Sequence, residues 1–408
     1  MEHSLWDRAI ILMDMNAFFA AIEQLDHPEW RGKPIAITNG QLGTCIITSS
    51  YEARSFGIKT GMRLREARTL CPHLIQVASR PKRYAAVSTA IMQRLQEITP
   101  DIEIFSVDEA FLDITHVQAL HGPPGRIARR VKLAVFQASG LLCSVGVSGD
   151  KTTAKYAAKQ QKPNGLTLIP PSLTQQRLKS VPVTELCGIG KGIGAFLARH
   201  GVVYCGDMPR LPISVLAERY GNVGRRIWYM CQGKDPSPVR RNIAPPKSIG
   251  HGKVIPPHSR DRQLILTYLM HMSEKVVARL RCHNMEASHF WIGLRANKGW
   301  LGEKCRLAQP GSDGRLLLAL CRQVLQRQWH GQAIHQVQVT ALNPQPAHLQ
   351  MELFAEHDPR RHALNQVMDT INQRYGDFTL TPARLLSRSK MPDVIAPAWQ
   401  PSGPRRSV

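Results

Sequence analysis

The chain has 408 residues, 43% of them hydrophobic, which leaves room for roughly two to four domains, and its 53 lysines and arginines against 30 acids give a net charge of +23. Such an excess exceeds what solubility asks for and points to a polyanionic partner, nucleic acid first. The nine cysteines are scattered without a Cys-x-x-Cys pair, no long apolar run occurs and the N-terminus lacks a signal-peptide pattern, so a disulfide scaffold, a zinc ribbon and a membrane span are set aside and a cytoplasmic protein is expected.

Residues 8–14 read as a buried strand in which the run Ala9-Ile10-Ile11-Leu12-Met13 ends on Asp14, and a helix follows from about Ala17 to Leu25. Phe18-Phe19 opens that helix. Most such pairs are core, although an aromatic five residues after a metal-binding Asp can also lie beneath a nucleotide sugar and clash with a 2′-hydroxyl. Short strands at Ile35–Thr38 and Cys45–Ser49 lead into a small mixed region ending near residue 78, where Tyr51-Glu52-Ala53-Arg54 starts a helix. A helix from about Lys82 to Glu97, strands at 102–107 and 109–115, a helix near 125–139 and a strand at Leu141–Ser148 complete a βαββαβ order. The fold expected is α+β, a ferredoxin-like sheet with residues 34–78 inserted.

The segment Ser106-Val-Asp-Glu-Ala-Phe-Leu-Asp113 sets two adjacent carboxylates, Asp108 and Glu109, in an apolar run. Burying an ionised carboxylate costs several kcal/mol unless a partner compensates. An Asp at a strand end is more often a turn former, and an Asp-Glu pair more often faces solvent. The expected topology, however, brings Asp14 and this pair onto adjacent central strands, and three carboxylates converging there suit a two-cation phosphoryl-transfer site. Arg54, Tyr51, Arg83-Tyr84 and Lys162-Pro-Asn-Gly165 supply the groups that neutralise a triphosphate, each of which alone is more often surface charge. Asp101-Ile-Glu103 has an exonuclease-like spacing without the other acids and reads as strand edge.

Residues 176–246 carry 11 basic and 4 acidic side chains. Within them a short helix at Val183–Cys187 precedes Gly188-Ile-Gly190-Lys191-Gly192-Ile-Gly194. No βαβ unit surrounds these glycines, which argues against a dinucleotide fingerprint and for a helix–hairpin–helix that aims backbone N–H groups at a DNA phosphate; the plainer alternative is a turn between packed helices. Pro236, Pro238, Pro245 and Pro246, with Arg240, Arg241 and Lys247, make an extended basic linker. Beyond it, residues 247–345 hold 14 basic and 5 acidic side chains in a second α/β unit: strand Ser248–Ile255, helix Gln263–Arg281, strand Ala287–Ala296, helix Gly314–Gln328 and strand Ala333–Leu342. Gln350-Met-Glu-Leu353-Phe354 reads either as a short peptide for another protein's groove or as an anchor on its own domain.

Together these residues resemble the Y-family, the translesion DNA polymerases, over roughly residues 8–345. The likeness is carried by Asp14-Met-Asn-Ala-Phe-Phe19, Ser50-Tyr-Glu-Ala-Arg54 with Phe56-Gly-Ile-Lys-Thr-Gly-Met62, Arg83-Tyr84, Ser106–Asp113, Gly146-Val-Ser148, Lys162–Gly165 and the Gly188–Gly194 hairpin, in that order. The resemblance implies a palm (1–33 and 79–175), fingers (34–78), a thumb (176–243), a linker (244–246), a little finger (247–345) and a C-terminal tail (346–408). It implies that Asp14, Asp108, Glu109 and the Met15 carbonyl hold two Mg²⁺ beside Ser106, that Tyr51, Arg54 and Lys162 bind the triphosphate, and that Phe19, next to Phe18, is the steric gate against ribonucleotides. Gly188, Gly190, Lys191, Gly192, Lys247 and Ser248 would touch DNA. Gln350, Leu353 and Phe354 resemble the peptide that binds the bacterial sliding clamp, and the tail, with Ala363–Gly376 similar to UmuC-type proteins, would meet other SOS factors. Primer–template DNA and deoxynucleoside triphosphates are the expected substrates of a monomer associated with the nucleoid. Asn16 stands where the polymerase IV branch carries Asp and looks UmuC-like, whereas Val107–Phe111 and Ser50–Arg54 look like polymerase IV. A catalytically inactive DNA- and clamp-binding factor, or another enzyme on a palm-like sheet such as a nucleotide cyclase, are the competing readings; the basic hairpin and third domain argue against the latter.

Overall fold

The computed structural model describes residues 5–41, 43–241, 245–347 and 359–387, and the chain divides between residues 243 and 244 into two compact units. In the first, β1 (Ile10–Met15) is buried along its whole length. Ile11 and Met13 pack into the main core, and Ile10 and Leu12 into a smaller cluster on the opposite face, as the two-residue period of a strand covered on both sides requires. After α1 (Phe18–Asp26) come β2 (Ile35–Thr38), β3 (Ile46–Ser49), α2 (Tyr51–Ser55), α3 (Leu64–Leu70) and β4 (Ile75–Ala78). They form a three-stranded sheet in the order β3-β2-β4, closed over a small core of Ala36, Ile46, Ala53, Ile58 and Leu64.

The chain then builds α4 (Pro81–Gln96), β5 (Ile102–Ile104), β6 (Glu109–Asp113), the single turn α5 (Gln118–His121), α6 (Pro124–Ser139), β7 (Cys143–Ser148), α7 (Lys151–Gln160) and β8 (Leu166–Leu168). The sheet order β5-β6-β1-β7-β8 is the expected ferredoxin-like arrangement with one parallel strand added at the β7 edge. Tyr84, Ile91, Ile127 and Val131, from α4 and α6, cover the Ile11 face. Ala154 and Ala158 of α7 cover the Ile10 face. The strands expected at 102–107 and 109–115 are shorter because the backbone turns between them: the N–H groups of Phe105 and Ser106 both donate to the Glu109 carbonyl, at 3.0 and 3.1 Å. Asp108 therefore sits on a turn, not within a strand.

A helical module follows, with α8 (Thr174–Leu178), α9 (Lys191–Arg199) and α10 (Ile213–Met230) around Leu178, Leu186, Ile189, Leu197 and Ile227. The helix expected at Val183–Cys187 is one 3₁₀ turn, Val183–Glu185. Asp235, past α10, is wholly buried and accepts from Arg226 (3.0 and 2.9 Å), the Thr152 hydroxyl of α7 (2.7 Å) and the Ser237 N–H (3.0 Å). Arg8, just before β1, donates to the carbonyls of Asp235 and Ser237. The chain leaving the helical module is thus tied to the sheet.

The second unit contains β9 (Ser248–Ser259), α11 (Arg262–Cys282), β10 (Met285–Ala296), β11 (Gly299–Gly311), α12 (Gly314–Gln328), β12 (Ile334–Leu342), the short β13 (Gln345–Pro346) and α13 (Pro359–Tyr375). Its element order is again βαββαβ, but its sheet order is β11-β10-β12-β9, so the two sheets are wired differently. Sequence reading passed over β11. Among the described strands this edge strand pairs only with β10, and two of its thirteen residues are buried, so it carries no continuous apolar run. Arg281 of α11 holds Asp369 of α13 through two contacts of 2.6 and 2.7 Å. Among the described residues no helix is long and apolar enough to cross a membrane.

Candidate active site

The antiparallel register of β1 and β6 sets Asp14 directly opposite Glu109, and the Met15 N–H donates to the Asp108 carbonyl at 2.9 Å. On its other side Asp14 faces Ser144 of β7. Backbone pairing thus brings Asp14 beside the adjacent Asp108 and Glu109, far away in sequence. They open on a cleft of about 150 Å³ lined by Asp14, Met15, Phe18, Phe19, Thr48, Arg54, Asp108, Glu109 and Lys162. Of the residues the sequence nominated, Phe18, Phe19, Arg54 and Lys162 line this cleft with Met15 and the acids; Ser106 and Tyr51 do not, and Tyr51 is beside Arg54, whose guanidinium carbon lies 4.9 Å from its ring centre.

Each acid already has a partner. The Lys162 ammonium is 2.5 Å from Asp14 Oδ1, Lys155 of α7 is bound to Glu109, and the Ser106 hydroxyl donates to Asp108 Oδ1 at 2.6 Å. Burial, then the neighbouring Glu109, lift Asp14 to about 6 against the pull of Lys162. Burial, Glu109 and Asp14 lift Asp108 to about 7, with the Ser106 hydrogen bond opposing them. Burial and mutual repulsion thus outweigh the positive charge that the neighbouring lysines bring to these acids. With the side chains drawn to lysines, no three His, Cys, Asp or Glu groups among the described residues close on one point as a finished metal cage. The donor chemistry nevertheless fits a hard divalent cation: the cleft offers carboxylate oxygens and no His or Cys.

The triphosphate candidates differ in how committed they are. Arg54 is exposed and bonds the Ser49 carbonyl (3.1 Å) and the Thr48 hydroxyl (3.5 Å). The Tyr51 hydroxyl is buried with no hydrogen-bond partner among the described residues, an arrangement that costs free energy unless something else supplies the partner. Arg83 and Tyr84, grouped with them from sequence, are not in the cleft. Arg83 is bound to Asp26 at 3.0 and 2.7 Å, and Tyr84 is buried with its hydroxyl on Glu23. Asp101 is paired with Arg241, and Glu103 with Lys151 at 2.6 Å, so the Asp-x-Glu pair is structural, as the sequence suggested.

Sequence reasoning missed Lys155 and Lys151. Both are buried on the inner face of α7, four residues apart, on the side that Ala154 and Ala158 mark as packed. Two lysines on an otherwise apolar helical face were the available signal, since buried ammonium groups require acids nearby. Asn16 is buried; its Oδ1 accepts from Ser144 Oγ at 2.9 Å, and its Nδ2 has no partner among the described residues.

The glycine hairpin lies apart from this cleft, in the helical module. Ile189 is buried while Gly188, Gly190, Lys191 and Gly192 are exposed, and a Cβ at any of the three glycines would meet nothing within 4 Å. Gly190 is the N-cap of α9, whose first turn receives no side-chain cap hydrogen bond. Lys247 and Ser248 stand exposed at the start of β9 in the second unit. Gln350, Leu353 and Phe354 lie outside the described residues.

A ferredoxin-like sheet with a carboxylate cleft, a small inserted sheet, a helical module with a glycine hairpin and a basic α/β unit compose the palm, fingers, thumb and little finger of a Y-family DNA polymerase. The comparisons agree. The impB/mucB/samB family model matches residues 13–159 and its C-terminal domain model residues 246–353. A DNA polymerase IV of Moorella thermoacetica is 34% identical over 377 residues, 91% of this chain and 94% of the relative. One from Pelotomaculum thermopropionicum is 31% identical over 390 residues, 92% and 96% of the two chains. Among solved structures, a Y-family DNA polymerase chimera matches with TM-score 0.71 and 26% identity, over 82% of this chain and 98% of its own. The chain belongs to the impB/mucB/samB family of Y-family translesion DNA polymerases, on its polymerase IV-like side, and it is a DNA-directed DNA polymerase of a class that works with divalent metal ions.

Proposed function

We propose that this chain adds deoxynucleotides to a primer 3′ end on damaged template DNA, without proofreading, using two Mg²⁺ held by Asp14, Asp108, Glu109 and the Met15 carbonyl. The observation that carries this is the β1–β6 register, which faces Asp14 with Glu109 beside Asp108 at one cleft. When bound, the cations supply charge stabilisation to the in-line transfer of the nucleotidyl group. The protein's own groups do the rest. Lys162 and Lys155 neutralise the acids in the resting cleft, and Lys162 and Arg54 hold the triphosphate together with the unpartnered Tyr51 hydroxyl. Phe19 lines the same cleft as the sugar gate, with Phe18 beside it.

The palm spans 1–33 and 79–175, the fingers 34–78, the thumb 176–243 and the little finger 247–345. Backbone N–H groups of Gly188, Gly190 and Gly192 with Lys191 take a DNA phosphate, and Lys247 and Ser248 contact the duplex. Gln350, Leu353 and Phe354 bind the sliding clamp, the tail recruits further SOS factors, and the enzyme works as a monomer at the nucleoid. Fingers of some 45 residues leave few contacts to the nascent pair, which favours damage tolerance over discrimination.

Primer extension on a lesion-bearing template with Mg²⁺ tests the core of this. Asp108→Ala is expected to cut incorporation by on the order of 10³ while filter binding to primer–template is retained, because several kcal/mol of charge stabilisation goes with the carboxylate. Incorporation that survives in Asp108→Ala would overturn the site assignment.

A further inference from the structure

The Phe19 ring lies flat on Tyr84, with centroids 4.3 Å apart and planes 12° from parallel. Both rings are essentially solvent-inaccessible, at 1% and 0% exposure. Tyr84, on α4, is held in turn: its hydroxyl donates to Glu23 Oε1 at 2.6 Å. Glu23 lies one helical turn after Phe19 on the same face of α1 and is itself 1% exposed. Its two oxygens are gripped by Arg80, Nε to Oε1 at 2.9 Å and Nη2 to Oε2 at 2.7 Å. Arg80 and Arg83 then share Asp26, at 2.8 Å and at 3.0 and 2.7 Å. A buried carboxylate clamped by a guanidinium gains little net stability over an apolar pair of the same volume, but it fixes geometry in a way an apolar pair does not.

We infer that Glu23 and Arg80, acting through Tyr84, are positioning residues that hold the Phe19 ring forward and so set the enzyme's selectivity between deoxyribose and ribose. A ring that excludes a single hydroxyl works only if it cannot retreat by a fraction of an ångström. Phe19 has no room to retreat while Tyr84 stays in place, and Tyr84 stays while its hydroxyl is bound to a carboxylate that cannot swing. The same helix donates from Ser88 Oγ to the Val107 carbonyl at 2.5 Å, next to Asp108. A single element therefore registers the back of the gate against the catalytic acids. The inference rests on Phe19 being the gate.

The test compares kcat/KM for dCTP and rCTP opposite template G in wild type, Phe19→Ala, Glu23→Gln, Tyr84→Phe and Arg80→Lys. The ratio of the two substrates on one enzyme cancels any loss of folded protein. Glu23→Gln, which keeps the shape but gives up the charge-assisted grip, is expected to lower the dCTP/rCTP ratio about tenfold, chiefly through a lower KM for rCTP. Tyr84→Phe, which keeps the stack but frees the ring, should move the ratio in the same direction, and Arg80→Lys, which keeps the charge but not the two-point grip, should lower it less than Glu23→Gln. If Phe19→Ala admits rCTP while Glu23→Gln and Tyr84→Phe keep the wild-type ratio, the positioning role is overturned and the gate stands. If Phe19→Ala still rejects rCTP, the gate reading fails and this inference falls with it.

Discussion

A carboxylate at a strand end has no chemistry of its own; Asp14 acquires one from what the sheet sets beside it. Raised to about 6 by burial and by Glu109, it sits with an Asp108 raised to about 7, and two lysine ammonium groups hold the cluster together. The adjacent Tyr51 hydroxyl is the complementary case, a buried donor with nothing to donate to among the described residues. A triphosphate oxygen would satisfy it. Tyr51→Phe is therefore expected to raise KM for the incoming nucleotide roughly fivefold, the worth of about 1 kcal/mol for one hydrogen bond, with kcat little changed. Steady-state incorporation kinetics check this, and an unchanged KM would remove Tyr51 from the triphosphate site.

At the scale of elements, two glycines have opposite duties. Gly146 of β7 faces α7: a Cβ there would stand 2.1 Å from the Ala154 carbonyl oxygen and 2.2 Å from the Ala158 nitrogen. The missing side chain lets α7 lie directly on the sheet and brings Lys155 down to Glu109. Gly146→Ala should cost about 1–3 kcal/mol of stability by overpacking, read as a lower urea midpoint. Gly190 at the start of α9 meets nothing. Gly190→Ala should leave the urea midpoint near wild type and weaken primer–template binding, because a methyl would keep a phosphate away from the helix N-terminus. Equal DNA affinity in that variant would argue against the hairpin as a phosphate site.

These elements also mark what could be read in advance. β1, α6, β7 and α12 were legible to within a residue or two because each carries a strong apolar period or run. The strand expected to continue through Ser106 and Val107 failed because the Glu109 carbonyl accepts two N–H groups and closes a turn, an interaction without a sequence signature. The acids that line the cleft, Asp14, Asp108 and Glu109, were legible as a converging set. Lys155, Glu23 and the inward-facing role of Tyr84 were not, since each takes its meaning from a partner 46 to 61 residues away in sequence.

For the whole first unit, the helical module's return to the sheet depends on one buried acid. Burial works against the Asp235 charge, but Arg226, Thr152 and Ser237 more than compensate and bring it from 3.8 down to about 2. A carboxylate with a depressed folded pKa contributes stability above its unfolded value and loses it as the pH falls through the folded one. The contribution, about 2 kcal/mol, is thus complete above about pH 4 and gone near pH 2. Wild type and Asp235→Asn should differ fully in urea midpoint near pH 6 and converge as the pH drops below about 4. A gap that stays constant across that window would show that the carboxylate's charge is not what joins the module to the sheet.

The sequence by itself determined the class of chemistry. A +23 chain with one acid ending an apolar run and two set within another, a glycine hairpin and a basic second α/β unit admits few partners other than nucleic acid, because composition, charge and periodicity are local properties of the chain. Only the tertiary structure decided that Asp14 faces Glu109, that α7 supplies the lysines for these acids, and that the two βαββαβ units have different strand orders. Strand order and register are set by backbone pairing between segments far apart in sequence, and the residue that fills a partner's side of a contact leaves no mark on the segment it meets.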